Sequence, residues 1–496
     1  MQQETTLGLV LTSLPGIAGV FLFYRTSYKK EAFYLLLLSA FLIRLLMISL
    51  DPFLQNWDER FHALVAKNMM EYPFKPMLIA NPVFPYNYQE WWNSHIWVHK
   101  QPLFLWQMAA SMKLFGVGTI ALRLPMAIMG TAAVWMIREI AERWTKNEEV
   151  AFISALLVAV SWYSLEMTSG FLSLDHNDFT FFFYITAGIW AWSRYLDSPQ
   201  PIKWAIWTGV FVGGAVLVKW LTAFLVLGGW GLYVLLSSER RSTLKNYLHI
   251  GIAGIVAVAL FMPWQFYIMN RFPLEAAWSY AYNRQHIWDD LGHEGPWYFH
   301  FSMLTYAYQP VLVGFLIIGI GAMFFSKQVN TKLTLTYLAM ILVLYGFFSF
   351  VATRMPGFVL PVSGLIFIFM SSGLYFLVSF LKKLPFQKII IPFFLLFAGY
   401  LCMQPSKIIR HRYAWSEDRN RKIHHTAVYK SISTGITDNY VILNCPLHEQ
   451  YELMFYKGGS AYPFMPEAKV LDSLQQTGYR FAAFQPSVEG ELILLK

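Results

Sequence analysis

The sequence predicts an all-α polytopic membrane domain of about twelve spans plus interfacial helices, followed by a small C-terminal α/β domain outside the membrane. Three observations carry this. Of 496 residues 56% are hydrophobic, and the mean hydropathy of +0.42 exceeds what the surface of a soluble domain tolerates. Long apolar runs recur through residue 403, separated by short turns that hold most of the basic residues. From 404 onward the pattern changes to short strand-like runs alternating with helical ones.

Apolar runs at 7–24, 33–50, 119–137, 150–167, 178–196, 204–218, 220–236, 248–268, 304–325, 333–351, 357–380 and 388–403 each approach the roughly 20 residues a bilayer requires. Threaded with the amino terminus outside, the odd connections are cytoplasmic. They carry Arg25/Lys29/Lys30, Arg138/Arg143/Lys146, Arg194/Lys203, Arg240/Arg241/Lys245, Lys327/Lys332 and Lys382/Lys383/Lys388. All six are basic, as the positive-inside rule requires. Reading 204–236 as one tilted helix would turn every later basic turn outward, so two spans are preferred there. Glu4 precedes the first run and Arg25, Lys29 and Lys30 follow it, so the run reads as a retained span entering from outside rather than a secretory signal. The 42 Phe, 28 Tyr and 19 Trp suit aromatic girdles at the two interfaces. The net charge of +9 is spread over turns instead of forming a phosphate-binding stripe, so nucleic acid is not implied. Cys402 and Cys445 give no disulfide framework.

This reading divides the chain into a membrane domain, residues 1–403, with an outer loop at 51–118, and a small outer domain, 404–496. The segment 269–303 is a third outer stretch. After Asp58-Glu59, residues Phe61, Leu64, Val65 and Met69 recur at helical spacing with Arg60, Lys67 and Asn68 off that face, the pattern of a helix lying on the membrane. Residues 103–116 are apolar but too short to span, which suggests a second surface helix or a re-entrant piece. Tyr440–Cys445 and Tyr479–Phe484 read as strands, 447–457 and 467–477 as helices.

Under this topology Asp58, Glu59, His99, Lys100, Asp175, His176, Asp178, Lys219, Arg284, His286, His293 and Arg354 all fall on the outer side, near span ends. Charge at membrane depth costs about 2.5–3.5 kcal/mol on insertion scales, so a dozen such residues from separate segments points to a site. Carboxylates can take or steer the proton of a sugar hydroxyl, and Lys and Arg can neutralise a departing phosphate. That combination suits glycosyl transfer at a membrane surface.

Trp57-Asp58-Glu59 just after a span, His99-Lys100-Gln101-Pro102-Leu103 and Arg123-Leu124-Pro125 resemble the first outer loop and following span of the GT-C superfamily. Within it the chain is most similar to the dolichyl-phosphate-mannose protein mannosyltransferases and the bacterial aminoarabinose transferases that modify lipid A. Leu174-Asp175, Gln285-His286-Ile287, His293-Glu294-Gly295-Pro296-Trp297-Tyr298 and Met355-Pro356-Gly357-Phe358-Val359-Leu360-Pro361 continue the pattern in order, over about residues 33–365.

The resemblance implies that Asp58 engages the acceptor, that Asp175 is a second catalytic acid, and that Lys100 lies near the carrier phosphate. Arg354 stands where the family often has Lys before Leu-Pro and would be another phosphate ligand. With Glu59, Lys219 and Arg284 these make the expected substrate-binding set. The aminoarabinose transferases usually carry Glu-Lys-Pro-Pro where this chain has His99-Lys100-Gln101-Pro102. In them a divalent metal near the lipid phosphate involves an acidic residue and histidines, so His99, His286 and His293 are the metal candidates here, with altered ligands. The span at 7–24 is a further departure, since relatives often begin with the span before the Asp-Glu pair.

Each candidate also has a plainer reading. Asp58 suits a helix cap, Asp175 and Asp178 suit a helix's first turn, and Lys100, Lys219 and Arg354 suit interfacial snorkelling. Lone interfacial histidines are commonly just hydrogen-bonded surface groups. The sequence as a whole favours an inverting transferase that moves a sugar from a polyprenyl-phosphate carrier to a protein, lipid A or glycan acceptor on the outer side of the cytoplasmic membrane. A transporter or flippase of lipid-linked saccharide is the main alternative, but it calls for mid-membrane charges and paired halves. A scaffold whose tail binds cell-wall material would leave the acids and bases around 58, 100 and 175 without a purpose.

Overall fold

The computed structural model describes residues 2–172, 176–414, 416–433, 440–486 and 492–495. The chain opens on two helices, α1 (Gln2–Arg25) and α2 (Lys29–Ser49). Gly8, Gly16 and Gly19 let them pack closely, and a Cβ at Gly19 would stand 2.6 Å from the Ala32 carbonyl. Next come α3 (Asp58–Met69), α4 (Leu103–Phe115), α5 (Thr119–Thr145), α6 (Glu148–Val160) and α7 (Trp162–Thr168). The last two form one span bent by 47°, because Ser161 leaves the helical region at ψ 115°. Arg44, fully buried in α2, donates to the carbonyls of Val158 at 3.1 Å and Ala159 at 3.0 Å, which the break has orphaned.

Then follow α8 (His176–Asp197), α9 (Pro201–Lys219), a 3₁₀ turn at Leu221–Phe224, α10 (Leu225–Leu236), the short α11 (Ser238–Arg241), α12 (Leu244–Arg271) and α13 (Pro273–Gln285). Beyond a loop come α14 (Phe299–Tyr308), α15 (Pro310–Phe325), α16 (Thr331–Phe350), a 3₁₀ segment at Pro356–Val362, α17 (Ser363–Leu381) and α18 (Gln387–Met403). Among the described residues eight helices are long and apolar enough to cross a bilayer, or ten if each bent pair is one span. Four of the twelve expected runs therefore depart from a straight span, the run at 150–167 through the α6–α7 bend and three others. The run at 304–325 turns by 109° between α14 and α15, where Gln309 takes a φ of 73° and Pro310 starts the second helix. The run at 220–236 is a 3₁₀ turn and a helix short of a bilayer's thickness, and α8 does not qualify by composition.

The connections alternate between two faces. On one, Thr5 Oγ1 lies 2.9 Å from the Tyr413 hydroxyl and Arg412 binds Asp51 at 3.1 Å and Glu166 at 2.7 Å. On the other, Arg194 pairs with Glu139 at 2.7 Å, Arg143 with Asp197 at 3.3 Å, and Lys382 with Glu149. Asp51 lies just past the end of α2. It is 1% exposed and held by two arginines, Arg412 and Arg419, the latter at 3.0 Å.

The tail begins with α19 (Pro405–Tyr413) and α20 (Ser416–Ser431) and continues as β1 (Tyr440–Leu443), α21 (Gln450–Lys457), β2 (Ser460–Ala461), α22 (Ala468–Gln476), β3 (Arg480–Pro486) and β4 (Leu492–Leu495). The sheet order is β2-β1-β3-β4. β1 runs parallel to β2 and β3, and β3 antiparallel to β4. The tail sits directly on α3, which corrects the expectation of a surface helix with one wet side. Glu59, Arg60, His62 and Ala66 are buried along with Phe61, Leu64, Val65 and Met69. Arg60 pairs with Glu452 at 3.4 Å, and Lys67 Nζ donates to the Met454 carbonyl at 2.6 Å.

Candidate active site

Asp58 is the first residue of α3 and half-buried. The N-cap position belongs to Trp57, whose side chain forms no cap bond, so Asp58 is not the cap the plainer reading supposed. Trp57 adopts φ 62°, ψ −122°, an outlier for a bulky side chain that persists only where the surroundings over-determine it. Its ring packs 4.7 Å from that of His448 in the tail.

Behind Asp58 the helix is locked. Glu59, 3% exposed, receives Arg123 Nε at 2.6 Å and Nη2 at 2.7 Å, and its Oε1 lies 3.1 Å from His176 Nε2. Burial raises the Glu59 carboxyl, but the Arg123 guanidinium and His176 outweigh it and hold the group well below the usual carboxylate range. Arg123 also donates to the carbonyls of Asp51 at 2.7 Å and Phe53 at 2.8 Å, shaping the strap from α2 to α3. Gly170, at φ 74°, has no room for a Cβ, which would stand 2.6 Å from Glu59 Oε1. Glu59 was expected to touch substrate; this geometry makes it a positioning group for Asp58. Arg123 and His176 were missed as its partners, because α5 and the start of α8 meet α3 only in the tertiary fold.

The loop before α4 brings up the next group. His99 stacks on Trp91 at 4.9 Å and 9°. Gln101 Oε1 accepts from Gln265 Nε2 at 2.8 Å, and the Val98 carbonyl accepts from Ser279 Oγ at 3.0 Å, which ties the loop to α12 and α13. The Tyr282 ring lies 5.6 Å from that of His99 on this loop. Its phenol is raised by burial, lowered by Lys100 and by a hydrogen bond from Trp91, and raised again by Asp58. Both charges expected at the chemistry, Asp58 and Lys100, therefore act on one tyrosine hydroxyl.

At the end of α9, Lys219 pairs with buried Asp178 and lies 4.6 Å from the centroid of the Phe358 ring. Trp220, at φ 74°, packs edge-on to Tyr280 at 4.9 Å, two residues before Tyr282. The Met355-Pro356-Gly357-Phe358 segment closes over the pair, with Gly357 against the Asp178 carboxylate. Arg354 joins the outer loop: its amide donates to the His293 carbonyl at 2.9 Å, while Thr353 Oγ1 lies 2.9 Å from His286 Nδ1. Arg354 Nη1 donates to the Phe348 carbonyl at 3.2 Å, and its Nε is buried without a hydrogen-bond partner among the described residues.

Asp175 lies outside the described residues. Arg284 is exposed in the last turn of α13 and forms no ion pair among them. His286 faces Tyr282 at 5.1 Å and His99 faces the same ring at 5.6 Å, while His293 is exposed. Among the described residues no group of three or more His, Cys, Asp or Glu side chains converges to hold a metal ion. The three histidines do not make a metal centre in this arrangement, and no step below uses one.

This arrangement of membrane helices under a small tail is the GT-C glycosyltransferase fold. ArnT from Cupriavidus metallidurans, solved bound to undecaprenyl phosphate, superposes with a TM-score of 0.64 over 90% of this chain and 89% of its own, at 14% identity. The archaeal oligosaccharyltransferase AglB from Archaeoglobus fulgidus gives 0.55 over 94% and 74%, at 11% identity. In sequence, residues 99–267 match the dolichyl-phosphate-mannose-protein mannosyltransferase family. The undecaprenyl phosphate-alpha-4-amino-4-deoxy-L-arabinose arabinosyl transferase 2 of Pseudomonas fluorescens is 25% identical over 267 residues, 52% of this chain. That stretch spans less than half of the relative's own length, 46%. The resemblance drawn from the motifs is thus borne out in fold, and in sequence over residues 99–267.

Proposed function

We propose that the chain is an inverting glycosyltransferase that moves a sugar from a polyprenyl-phosphate carrier to a protein, lipid or glycan acceptor, on the outer side of the cytoplasmic membrane. The observation that carries this is the Glu59–Arg123 clamp that fixes the start of α3, where Asp58 lies, together with the His99–Lys100–Gln101 loop tied to α12 and α13. Asp58, with Asp175 as a second acid, takes or orients the acceptor proton as the new glycosidic bond forms, and the carrier phosphate leaves with the electrons of the broken bond. Lys100 and Arg354 receive that phosphate, and Lys219 steadies Asp178 beside it. ArnT and AglB have been solved with polyprenyl-type phosphates, which supports the same class of donor here. Basic turns gathered on the opposite face support the outward orientation.

The test is transfer itself. The purified chain in liposomes, given a labelled sugar on polyprenyl phosphate and a mixture of envelope acceptors, should release free polyprenyl phosphate and label an acceptor. Flux of the intact lipid-linked saccharide across the vesicle, with its sugar–phosphate bond unbroken, would replace this reading with the flippase.

A further inference from the structure

A groove of about 560 Å³ lies between α1, α2, α6 and α18, with neither Asp58 nor Lys100 in its lining and with Val10, Ile17, Leu156 and Leu396 among its walls. On α1 it reaches from Thr6 to Ile17, about 16 Å at ~1.5 Å per residue. That is about half of the ~30 Å hydrocarbon thickness, the depth of one leaflet. Its upper end opens at Pro405 and Ser406, where α18 gives way to α19 on the tail face. The depression is open where Gly399 presents no side chain, since the nearest atoms to a Cβ there, on Leu156 and Val160, stand 3.9 Å away.

Water is a poor occupant. Three of the hydroxyls lining the groove are already satisfied by helix carbonyls: Thr6 by Gln2 at 2.9 Å, Ser13 by Leu9 at 2.7 Å and Ser39 by Thr12 at 2.8 Å. A water there would give up hydrogen bonds for nothing, and an empty groove would forfeit dispersion contacts along its walls. A single lipid tail meets neither objection.

The mouth indicates what that tail belongs to. α19 carries Lys407, Arg410 and Arg412. Arg412 is committed to Asp51 and Glu166, and Lys407 leans on the rings of Trp162 and Tyr306. Arg410 is exposed and forms no ion pair among the described residues, one residue beyond Ile409 of the groove. We propose that this groove is a structural site for an anionic phospholipid, with one acyl chain between α1 and α18 and the headgroup phosphate on α19 beside Arg410. Because α19 also holds Arg412 in its buried pairs, the bound lipid would brace the joint on which the tail is mounted.

Native mass spectrometry tests this on the full chain purified from vesicles of phosphatidylglycerol and phosphatidylethanolamine. One phospholipid should survive mild activation, with phosphatidylglycerol favoured about fivefold for the one basic side chain. Gly399→Phe fills the groove, where the nearest atoms to a new Cβ stand 3.9 Å away, and should cut retention about tenfold. Ser13→Leu gives a second filling should that variant fold poorly, and Leu11→Phe, on the bilayer-exposed side, should leave retention unchanged. Arg410→Gln should keep the chain bound but erase the preference for phosphatidylglycerol. Equal retention in the filled variants and the native protein would overturn the proposal. So would an adduct with the mass of polyprenyl phosphate, or a dimer that sheds no lipid. None of these readouts depends on glycosyl transfer, so failure here leaves the proposed activity standing.

Discussion

The residue scale separates two aspartates seven positions apart. Asp51 is buried between Arg412 and Arg419, whereas Asp58 is half-buried at the start of α3, and its charge is felt at Tyr282. Removing one partner of a buried ion pair typically destabilises by about 3–5 kcal/mol, so Asp51→Asn should lower the unfolding temperature sharply. Asp58→Asn keeps size and loses charge. Thermal stability and carrier binding should persist while transfer falls by about a hundredfold to ten-thousandfold. Measuring both properties for both variants checks the assignment, and near-native transfer by Asp58→Asn would shift the role to Asp175. Glu59 makes a pH-dependent claim. Its folded pKa lies below the ordinary 4.5, so its contribution to stability is fully present above about pH 4.5 and is lost as pH falls through the lowered value. The stability gap between native protein and Glu59→Gln should therefore be constant near neutrality and close in acid. A gap that widens below pH 4.5 in thermal scans would refute the clamp.

Elements determine whether these residues meet. The α3 helix is gripped from the membrane side by Arg123 and from the tail by Glu452 and the Met454 carbonyl. Lys67, which the helical pattern placed off the buried face, is thereby a structural lysine; burial lowers its pKa to about 8 against a smaller raising effect of Glu71. It cannot serve as an inert reference for Lys100. Lys383, exposed on the opposite face beside Phe380, can. Lys100→Ala should weaken binding of polyprenyl phosphate about tenfold to over a hundredfold, as loss of a charge-assisted contact does, and Lys383→Ala should not. Equal affinities of the two variants in a lipid-binding assay would remove Lys100 from the phosphate site.

At the scale of the whole molecule, the alternation of faces carries a topological prediction. Thr5 touches Tyr413, so the start of α1 and the tail share a side. Gln3→Cys and Lys469→Cys, both at exposed positions, should react with an impermeant thiol reagent in intact cells. The native Cys402 and Cys445 are buried and should stay silent. Labelling of either introduced thiol only after lysis would reverse the orientation and with it the outward-facing site.

Apolar periodicity and charge placement by themselves determined the membrane class, the position of nearly every helix, the split between basic turns and the opposite face, and the α/β character of the tail. These are local properties: a 20-residue apolar run needs no partner to declare itself. The same local logic did not see the bends inside the runs at 150–167 and 304–325, because a helix break is decided by one residue's dihedrals and by who satisfies the freed carbonyls, as Ser161 and Arg44 show. It read α3 as half-wet because the tail that covers it lies almost 400 residues away in sequence. Only the tertiary structure decided that Glu59 is clamped rather than open, that Asp51 is a buried anchor, and that the loop carrying His99 and Lys100 is tied to α12 and α13. Pairing of charges depends on distances between segments, and the spacing of residues along a chain does not contain them.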